Sequence, residues 1–338
     1  MEPKLLFTDL ANISNITINN VHKRIKSNNL PYLRNVNRLY IQHEAGRAYF
    51  GKPTKREVIS VQTAKGGVGK SSLCLNFAIR LWLFGHRVLV IDIDQQANIS
   101  KPFGQTDPKY VLLDVLLGKV EFKDAIVKYK DGLDIIPSSL RNAKLTNQII
   151  ADGGSLSSYM PKYIDSIRDS YDTILIDCPP AIGHILSSVA LASDLVISPV
   201  DPDNDAIDGA SYIQQEVQKL NNENNKNIGF KLILNKYDAR TVLSPRTAER
   251  LGKSNLYNEE SMFESVIGVS QDFYRAKEDK CSIYDYMKPG RACTDIDNLV
   301  IEYLELGKWA KEDKRKNTKN TKNTKGLQYR GKKAKPLA

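Results

Sequence analysis

The chain has 338 residues, of which 41% are hydrophobic, and its 49 Lys and Arg against 39 Asp and Glu give a formal net charge of +10. This apolar content is enough for a buried core, so it excludes a chain that is disordered throughout. No apolar run reaches the ~18 residues that a membrane-spanning helix needs, and the first residues lack the basic-then-apolar pattern of a signal peptide. We therefore expect a cytoplasmic protein with no membrane partner.

The four cysteines lie far apart in the chain, and no two of them form a Cys-x-x-Cys pair. Their spacing excludes a zinc ribbon or a redox dithiol. In a reducing cytoplasm all four are expected to be free thiols.

The positive charge is concentrated at the two ends of the chain. Residues 1–55 carry 9 basic and 3 acidic residues, and residues 308–338 carry 12 basic and 2 acidic ones. The remainder has a net charge of −6. An acidic body with two basic ends indicates an acidic partner, and nucleic acid is the first candidate.

The first segment, residues 1–55, is predicted to begin with two short helices joined by a turn, at residues 7–14 and 17–26. Thr8 and Thr17 are natural N-cap residues for them. One face of the pair is apolar and contains Leu10, Ile13, Ile18, Val21 and Ile25. The opposite face of the second helix carries amides, which can pair with adenine, and cations, which can reach guanine or phosphate.

Residues 30–40 are predicted to form a hairpin with a polar tip between Arg34 and Arg38. With the two helices, this hairpin resembles the winged helix-turn-helix of the MerR type, in which the tip contacts the DNA backbone. The resemblance implies that seven residues bind DNA: Asn19, Asn20, Lys23, Arg24, Lys26, Arg34 and Arg38. The alternative is a basic amphipathic extension that only covers the rest of the chain.

The second segment, residues 56–312, alternates short β-rich apolar runs with helical stretches. Six runs begin at Val58, Val88, Leu133, Thr173, Leu195 and Leu232. Continuous rather than alternating apolar runs are typical of strands buried on both faces, as in a parallel sheet covered by helices. The pattern predicts an α/β fold with a doubly wound, mostly parallel sheet.

A glycine-rich loop follows the first of these runs and precedes a helix, at residues 63–72. Its backbone N–H groups can turn onto phosphate oxygens, a lysine can reach the β- and γ-phosphates, and a hydroxyl can bind Mg²⁺. The predicted ligands of the phosphates are Gly66, Gly67, Val68, Gly69, Lys70, Ser71 and Ser72, with Ser71 also a magnesium ligand. The loop therefore predicts a polyphosphate ligand with Mg²⁺, and the family resemblance described next implies that this ligand is ATP.

A second lysine in this loop, Lys65, cannot be needed for the same role as Lys70. Here the sequence resembles the deviant Walker A family of P-loop NTPases, in which an extra signature lysine precedes the glycines. In that family the extra lysine reaches across a dimer to the partner's nucleotide, where it acts on developing charge as an arginine finger does.

Two later segments resemble ParA-type partition ATPases. Residues 87–98 contain Asp92 and Asp94 at the carboxyl end of a strand, although Gln95 stands where the family usually has proline. The resemblance implies that Asp94 orients or activates the attacking water and that Asp92 supports the Mg²⁺ shell, with swapped roles left open. Residues 172–183 match the Walker B and switch segment, which makes Asp177 the carboxylate that holds Mg²⁺ through water.

The same resemblance implies two further nucleotide contacts. Pro199 belongs to a strand and loop that pass beneath the nucleotide, and Asn235 occupies the place of an asparagine that recognises the base. A last helix is predicted at residues 295–311. Residues 313–338 are a Lys-Asn-Thr repeat and basic tail with almost no apolar residues, so this tail is predicted to be disordered and to contact nucleic acid through charge alone.

Together these features predict an ATP-dependent DNA partition ATPase that works as a homodimer near the nucleoid. ATP would join two copies, the dimer would bind nonspecific DNA, and a ParB-type partner would stimulate an otherwise slow hydrolysis. The resemblance also implies that residues 1–55 bind a specific operator and repress the protein's own operon. The alternative is a nucleotide-gated transcriptional repressor without a segregation role.

Overall fold

The computed structural model describes residues 3–35, 38–53, 55–151, 159–202, 204–253, 260–286 and 290–306. The tail at residues 313–338 and its predicted disorder lie outside this part of the chain. Among the helices that are described, none is both long enough and apolar enough to span a membrane.

The amino-terminal part forms two helices, a hairpin and a third helix. Its elements are β1 (Leu5–Leu6), α1 (Phe7–Ser14), α2 (Ile18–Ser27), β2 (Leu33–Asn35), β3 (Arg38–Ile41) and α3 (His43–Phe50). The strands form an antiparallel sheet in the order β1-β3-β2. The predicted helix pair and hairpin are therefore present.

The two predicted N-caps have different outcomes. Thr17 caps α2 as predicted, because its hydroxyl accepts a hydrogen bond from Asn20 N at 3.3 Å. The prediction for Thr8 is wrong: the N-cap is Leu6, two residues earlier, so α1 begins at Phe7, and the carboxylate of Asp9 accepts from Leu6 N at 3.1 Å. A side chain one turn into the helix thus performs the capping, as in a capping box.

The rest of the described chain is a three-layer α/β structure. Its strands are β4 (Glu57–Val61), β5 (Val88–Asp92), β6 (Val127–Lys130), β7 (Leu133–Ile136), β8 (Thr173–Asp177), β9 (Leu195–Val200), β10 (Gly229–Tyr237) and β11 (Met262–Gly268). Its helices are α4 (Lys70–Leu83), α5 (Leu112–Leu116), α6 (Leu145–Ala151), α7 (Tyr159–Ile167), α8 (His184–Ala192), α9 (Asn204–Asn224), α10 (Leu243–Lys253), α11 (Gln271–Glu278) and α12 (Arg291–Tyr303). The last helix begins earlier than predicted, at Arg291.

One sheet organises this structure, with the strand order β11-β10-β9-β4-β8-β5-β7-β6. Every pairing in it is parallel except that of β6 with β7. All residues of β4, β5 and β8 are buried. Alternate residues of these strands enter two different apolar clusters: Ile59 and Val90 pack on the α4 side, and Val58 and Leu89 on the α8 side. The predicted doubly wound, mostly parallel sheet is confirmed.

The amino-terminal helices share a core with the α/β body. Leu5, Leu10 and Ile41 belong to the same apolar cluster as Phe77 and Leu81 of α4. A segment of about 50 residues is hard to stabilise by its own core, and this packing against the body supplies the missing apolar contacts.

Helix α3 makes the closest approach between the two parts. A Cβ at Gly46 would lie 2.1 Å from the carbonyl oxygen of Leu83, so only glycine allows α3 to pack this tightly on α4. Arg47 extends from α3 and pairs with Asp172 at 2.7 Å, just before β8. The packing expected of an extension that covers the body is thus present. The end of the first segment at residue 55 stays a prediction. Residues on both sides of it contribute to one apolar cluster.

A buried arginine joins three parts of the chain. The guanidinium of Arg80, at the end of α4, is fully buried and lies 2.6 Å from Asp297 of α12 and 3.4 Å from Asp9 of α1. It also stacks over the rings of Phe84 and Tyr284. Its Nε and Nη1 have no hydrogen-bond partner within the described residues. The cost of burying its charge is therefore offset by the two ion pairs and the two aromatic rings.

Arg80→Met is expected to lower the free energy of unfolding by about 3–5 kcal/mol, because it leaves Asp297 buried beside Asp9 without a cation. Denaturant unfolding followed by circular dichroism measures the change. The matched control is Arg56→Met: Arg56 pairs with Asp169 at 2.6 Å on the surface, and such a pair contributes about 0–1 kcal/mol. Equal losses in the two variants would contradict the role of Arg80.

Candidate functional site

The glycine-rich loop connects the end of β4 to the first residue of α4. Gly67 has a φ of +79° and Gly69 a φ of +91°, values in the left-handed region that glycine adopts without strain. A Cβ at Gly69 would also lie 2.5 Å from the side-chain nitrogen of Asn235. Lys70 is the first residue of α4, and its side chain is buried. The loop thus places free N–H groups at a helix N-terminus, which is an anion-binding arrangement.

Two carboxylates lie beside this loop at the ends of adjacent strands. Asp177 ends β8, which is paired on one side with Val61 of β4 and on the other with Asp92 of β5. The three strand ends therefore meet at the carboxyl edge of the sheet, where open α/β sheets bind their ligands.

Asp177 is a buried acid next to the Ser71 hydroxyl. Neither of its carboxylate oxygens has a hydrogen-bond partner in the described part of the chain. Burial raises its pKa well above the ordinary value, and the neighbouring Asp92 adds to the rise, while Ser71 and Lys70 oppose it. A carboxylate of this kind, next to a hydroxyl, fits a hydrated Mg²⁺ that would supply the missing partners.

Asp92 has a different environment, although it is equally buried. Its oxygens accept from Ser100 N at 3.0 Å, from Ser100 Oγ at 2.7 Å and from Asp94 N at 3.2 Å. Burial raises its pKa to about 7 in spite of these bonds. Through these three hydrogen bonds Asp92 holds the loop after β5 in place, and its support of the Mg²⁺ shell stays a prediction. Asp94 accepts from Gln96 N at 2.9 Å and lines the adjoining cavity.

A cavity of about 580 Å³ extends from the glycine-rich loop to α11. At one end it is lined by Gly67, Lys70, Ser71 and Asp94, and at the other by Val269 and Phe273. The first end carries the Lys70 ammonium and the N–H groups of the loop, and the second carries apolar and aromatic side chains together with the charged Lys277 and Glu278 of α11. The first end fits a polyphosphate, and the apolar side chains of the second offer a surface for a flat base.

Comparisons with known proteins agree with this geometry. Residues 56–230, just over half of the chain, match the model of an AAA domain family. Chromosome partitioning protein ParA of Caulobacter vibrioides is 32% identical over 200 residues, which are 57% of this chain and 74% of that protein. The chain belongs to the ParA/MinD family of P-loop ATPases.

Two further proteins are similar to this ParA/MinD-type chain. Sporulation initiation inhibitor protein Soj of Bacillus subtilis is 28% identical over 215 residues, which are 62% of this chain and 83% of that protein. A plasmid partition protein from Borrelia burgdorferi, solved with bound AMPPNP, has the same fold with a TM-score of 0.61. It is 22% identical, and the match covers 74% of this chain and 99% of that one.

Of two further predicted nucleotide contacts, Asn235 lines this cavity and Pro199 is not among the described residues that do. Pro199 is buried within β9, in register with Ile233 of β10, and does not line the cavity in the described part of the chain. Asn235 does line it, but its amide is already used: Nδ2 donates to Val68 O at 2.7 Å, and Oδ1 accepts from Lys236 N at 3.0 Å. The structure thus ties Asn235 to the loop, and base recognition by it remains a prediction.

Among the lining residues that sequence reasoning did not single out are Lys236, Val269 and Phe273. Lys236 follows Asn235 directly, and its Nζ donates to the carbonyl of Gly67. The sequence feature that could have identified Lys236 is a lysine at the end of a buried strand. Val269 and Phe273 carry no such signal, because an apolar residue near a cavity looks like any core residue.

Lys65, the predicted signature lysine, lies beside an acid and is not among the described residues that line the cavity. Lys65 Nζ is 4.0 Å from Asp201 Oδ1, and 29% of its side chain is exposed. It is absent from the described cavity lining, whereas Lys70 is part of it. The two lysines of the loop therefore occupy different surroundings, as expected for two different roles.

Most of the predicted DNA-binding residues are exposed. This holds for Asn19, Asn20, Lys23, Lys26 and Arg34, while Arg24 and Arg38 are half-buried.

Arg24 departs from the predicted DNA-binding role. It donates to Tyr49 O at 3.1 Å, and its guanidinium lies 4.4 Å from the centre of the Tyr49 ring. It therefore fastens α2 to α3 and does not belong to the exposed face. Ile18, predicted to be part of the apolar face, is 45% exposed.

Proposed function

We propose that this chain is a DNA-partitioning ATPase that uses ATP and Mg²⁺. Binding of ATP joins two copies, the dimer binds DNA without sequence preference, and a centromere-binding partner of the ParB type stimulates hydrolysis and release. The observation that carries the proposal is Asp177, a buried carboxylate beside the glycine-rich loop and Ser71 whose oxygens accept no hydrogen bond by distance and angle within the described residues. The partition functions named for the similar proteins from Caulobacter and Borrelia support the choice within the family.

The residues of the site have different roles in phosphoryl transfer to water. The N–H groups of the loop and the Lys70 ammonium bind the phosphates, and Ser71 and Asp177 hold the ion. Magnesium, when bound, neutralises the charge that develops on the phosphate oxygens. Asp94, which faces the cavity, orients the attacking water, while Asp92 keeps the loop after β5 in shape.

Lys65 acts on the nucleotide of a second copy. Its position beside Asp201 and outside the cavity of its own chain supports a role in the dimer. The site of a single copy then lacks one cation for the transition-state charge, so hydrolysis is expected to require the dimer.

Sizing the protein with ADP and then with ATP, each with and without random DNA, tests this function. A monomer that becomes a DNA-bound dimer only with ATP is the expected result. A monomer under all four conditions would contradict the proposal.

Residues 1–55 are proposed to bind a specific operator, most directly through the exposed residues of α2. The observation that supports this is the exposed polar face of α2 next to a hairpin with Arg34 exposed. Because this segment shares its core with the body, deleting it would expose α4, so point variants are the appropriate test.

Asn19→Ala with Asn20→Ala is expected to reduce the preference for operator over random DNA by roughly 30-fold or more, since each amide–adenine pair discriminates by about 1–3 kcal/mol and two pairs are lost. Lys23→Ala should weaken binding to both DNAs and lower the salt dependence by about one counterion. The control is Asn12→Ala, an exposed asparagine of α1. Competition binding at several salt concentrations measures all three, and an unchanged preference in the double variant would exclude readout by α2.

A repressor without a segregation role is the second candidate. The observation in its favour is the shared core, which connects the proposed operator-binding segment to the helix that begins at Lys70. Operator binding that responds to ATP, together with no ATP-dependent binding to random DNA, would favour this alternative.

A further inference from the structure

The end of β10 has an unusual backbone. Lys236 adopts a φ of +53°, a left-handed conformation that is unfavourable for a residue with a Cβ. Between Leu234 and Tyr237 the pairing of β10 with β11 also shifts, so that three steps along β10 match two steps along β11. An extra residue of this kind is a β-bulge, and bulges beside functional sites re-aim a side chain.

The side chains at this bulge contact consecutive carbonyls of the glycine-rich loop. Lys236 Nζ donates to Gly67 O, and Asn235 Nδ2 donates to Val68 O at 2.7 Å. The backbone N–H of Lys236 in turn donates to Asn235 Oδ1 at 3.0 Å, which fixes the orientation of that amide. A Cβ at Gly69 would collide with Asn235 Nδ2, so the contact depends on the glycine of the loop.

These contacts determine where two N–H groups of the loop point. In a trans peptide the C=O of one residue and the N–H of the next are antiparallel in one plane. Holding Gly67 O therefore directs Val68 N–H away from β10, and holding Val68 O does the same for Gly69 N–H. N–H groups of such a loop are the donors that bind phosphate oxygens.

We propose that Asn235 and Lys236 form a clamp that orients the Val68 and Gly69 N–H groups for phosphate, with Lys236 as a positioning residue acting through Gly67. This inference rests on the proposed ATP-binding function. It assigns Asn235 a role at the phosphate end of the nucleotide, and it accounts for the left-handed conformation of Lys236. The clamp contributes to ATP and ADP binding alike, because both carry the phosphates that the loop binds.

The clamp is tested first in the nucleotide-free protein, by ¹⁵N relaxation of the loop amides. In wild type we expect order parameters near ~0.85 for Val68 and Gly69, the value of a rigid backbone. Lys236→Met should lower the value for Val68 below ~0.6, and Asn235→Ala should do so for Gly69. Lys236→Arg, which keeps a donor, should restore the Val68 value, and Lys231→Met is the matched control on the same strand.

Nucleotide affinity is the second measurement. Lys236→Met is expected to weaken ATP and ADP binding to a similar extent, about tenfold, the effect of losing one charge-assisted hydrogen bond. A loss for ATP alone would mean that Lys236 binds the γ-phosphate directly, and it would overturn the positioning role. If wild type binds no nucleotide, the proposed function fails, while the relaxation data still test the clamp.

A folding defect in Lys236→Met would not leave the question open. Lys236→Gly removes the ammonium but accepts a φ of +53° without strain, so the fold should be retained. The same drop in the Val68 order parameter is expected for this variant. Rigid Val68 and Gly69 amides in folded Lys236→Gly and Asn235→Ala proteins would exclude the clamp.

Discussion

Lys70→Ala is expected to weaken ATP and ADP binding by at least ~100-fold, because the ammonium makes charge-assisted hydrogen bonds to phosphate that contribute about 1.5–3 kcal/mol each. Lys70 is the first residue of α4, its side chain is buried, and it lines the cavity. Its charge is therefore held at the helix N-terminus, where water screens it little. Calorimetry or a fluorescent nucleotide measures the loss.

The control for this variant is a lysine in the same cavity with a different task. Lys101 also lines the cavity, but it is exposed and donates to Gln96 O at 3.0 Å. Lys101→Ala should change nucleotide affinity by less than about threefold, as expected for an exposed charge. Circular dichroism confirms that both variants fold. Nucleotide binding at wild-type strength by folded Lys70→Ala would refute the phosphate-binding role of the loop.

Lys65→Ala is expected to retain ATP binding but to lose stimulated hydrolysis by roughly 10³- to 10⁵-fold, the range of an arginine finger supplied in trans. The physical reason is its location: Lys65 lies beside Asp201, outside the cavity that contains Lys70. It can therefore act on charge in the site of a second copy. A Kd for ATP close to that of wild type, together with absent turnover, is the signature to look for.

Mixing two inactive variants separates action in trans from action within one chain. A Lys65→Ala copy keeps an intact Asp94, and an Asp94→Ala copy keeps an intact Lys65. In a mixed dimer the first site receives Lys65 from the second copy, so an equimolar mixture should regain about one quarter of wild-type turnover, the share expected for random pairing of a symmetric dimer. No recovery in the mixture would mean that Lys65 acts only within its own chain. Wild-type turnover by Lys65→Ala alone would exclude the signature role altogether.

Much of the body of this protein could be predicted from local patterns. The continuous apolar runs at Val58, Val88 and Thr173 predict strands buried on both faces, because only helices on both sides of a parallel sheet can cover them. The glycine spacing before Lys70 likewise predicts a phosphate loop, since backbone conformation there depends on a few adjacent residues. Thr17 succeeds as a helix cap for the same reason, as its hydroxyl reaches only three residues along the chain.

Contacts between distant parts of the chain could not be predicted in this way. Asn235 and Val68 are separated by 167 positions, and only the strand order places the end of β10 against the loop after β4. Arg24 looks like a DNA contact in the sequence, and only the position of Tyr49 turns it towards α3.

The sequence by itself thus determined the α/β sheet, the phosphate loop and the acids at its edge, because periodicity and spacing are local properties. Tertiary structure decided how the acids differ: Asp92 accepts hydrogen bonds from Ser100 and Asp94, whereas Asp177 lies next to Ser71 and Lys70 and accepts none by distance and angle within the described residues. It also joined the basic amino-terminal segment to the body through Arg80, whose charge must be matched wherever it is buried.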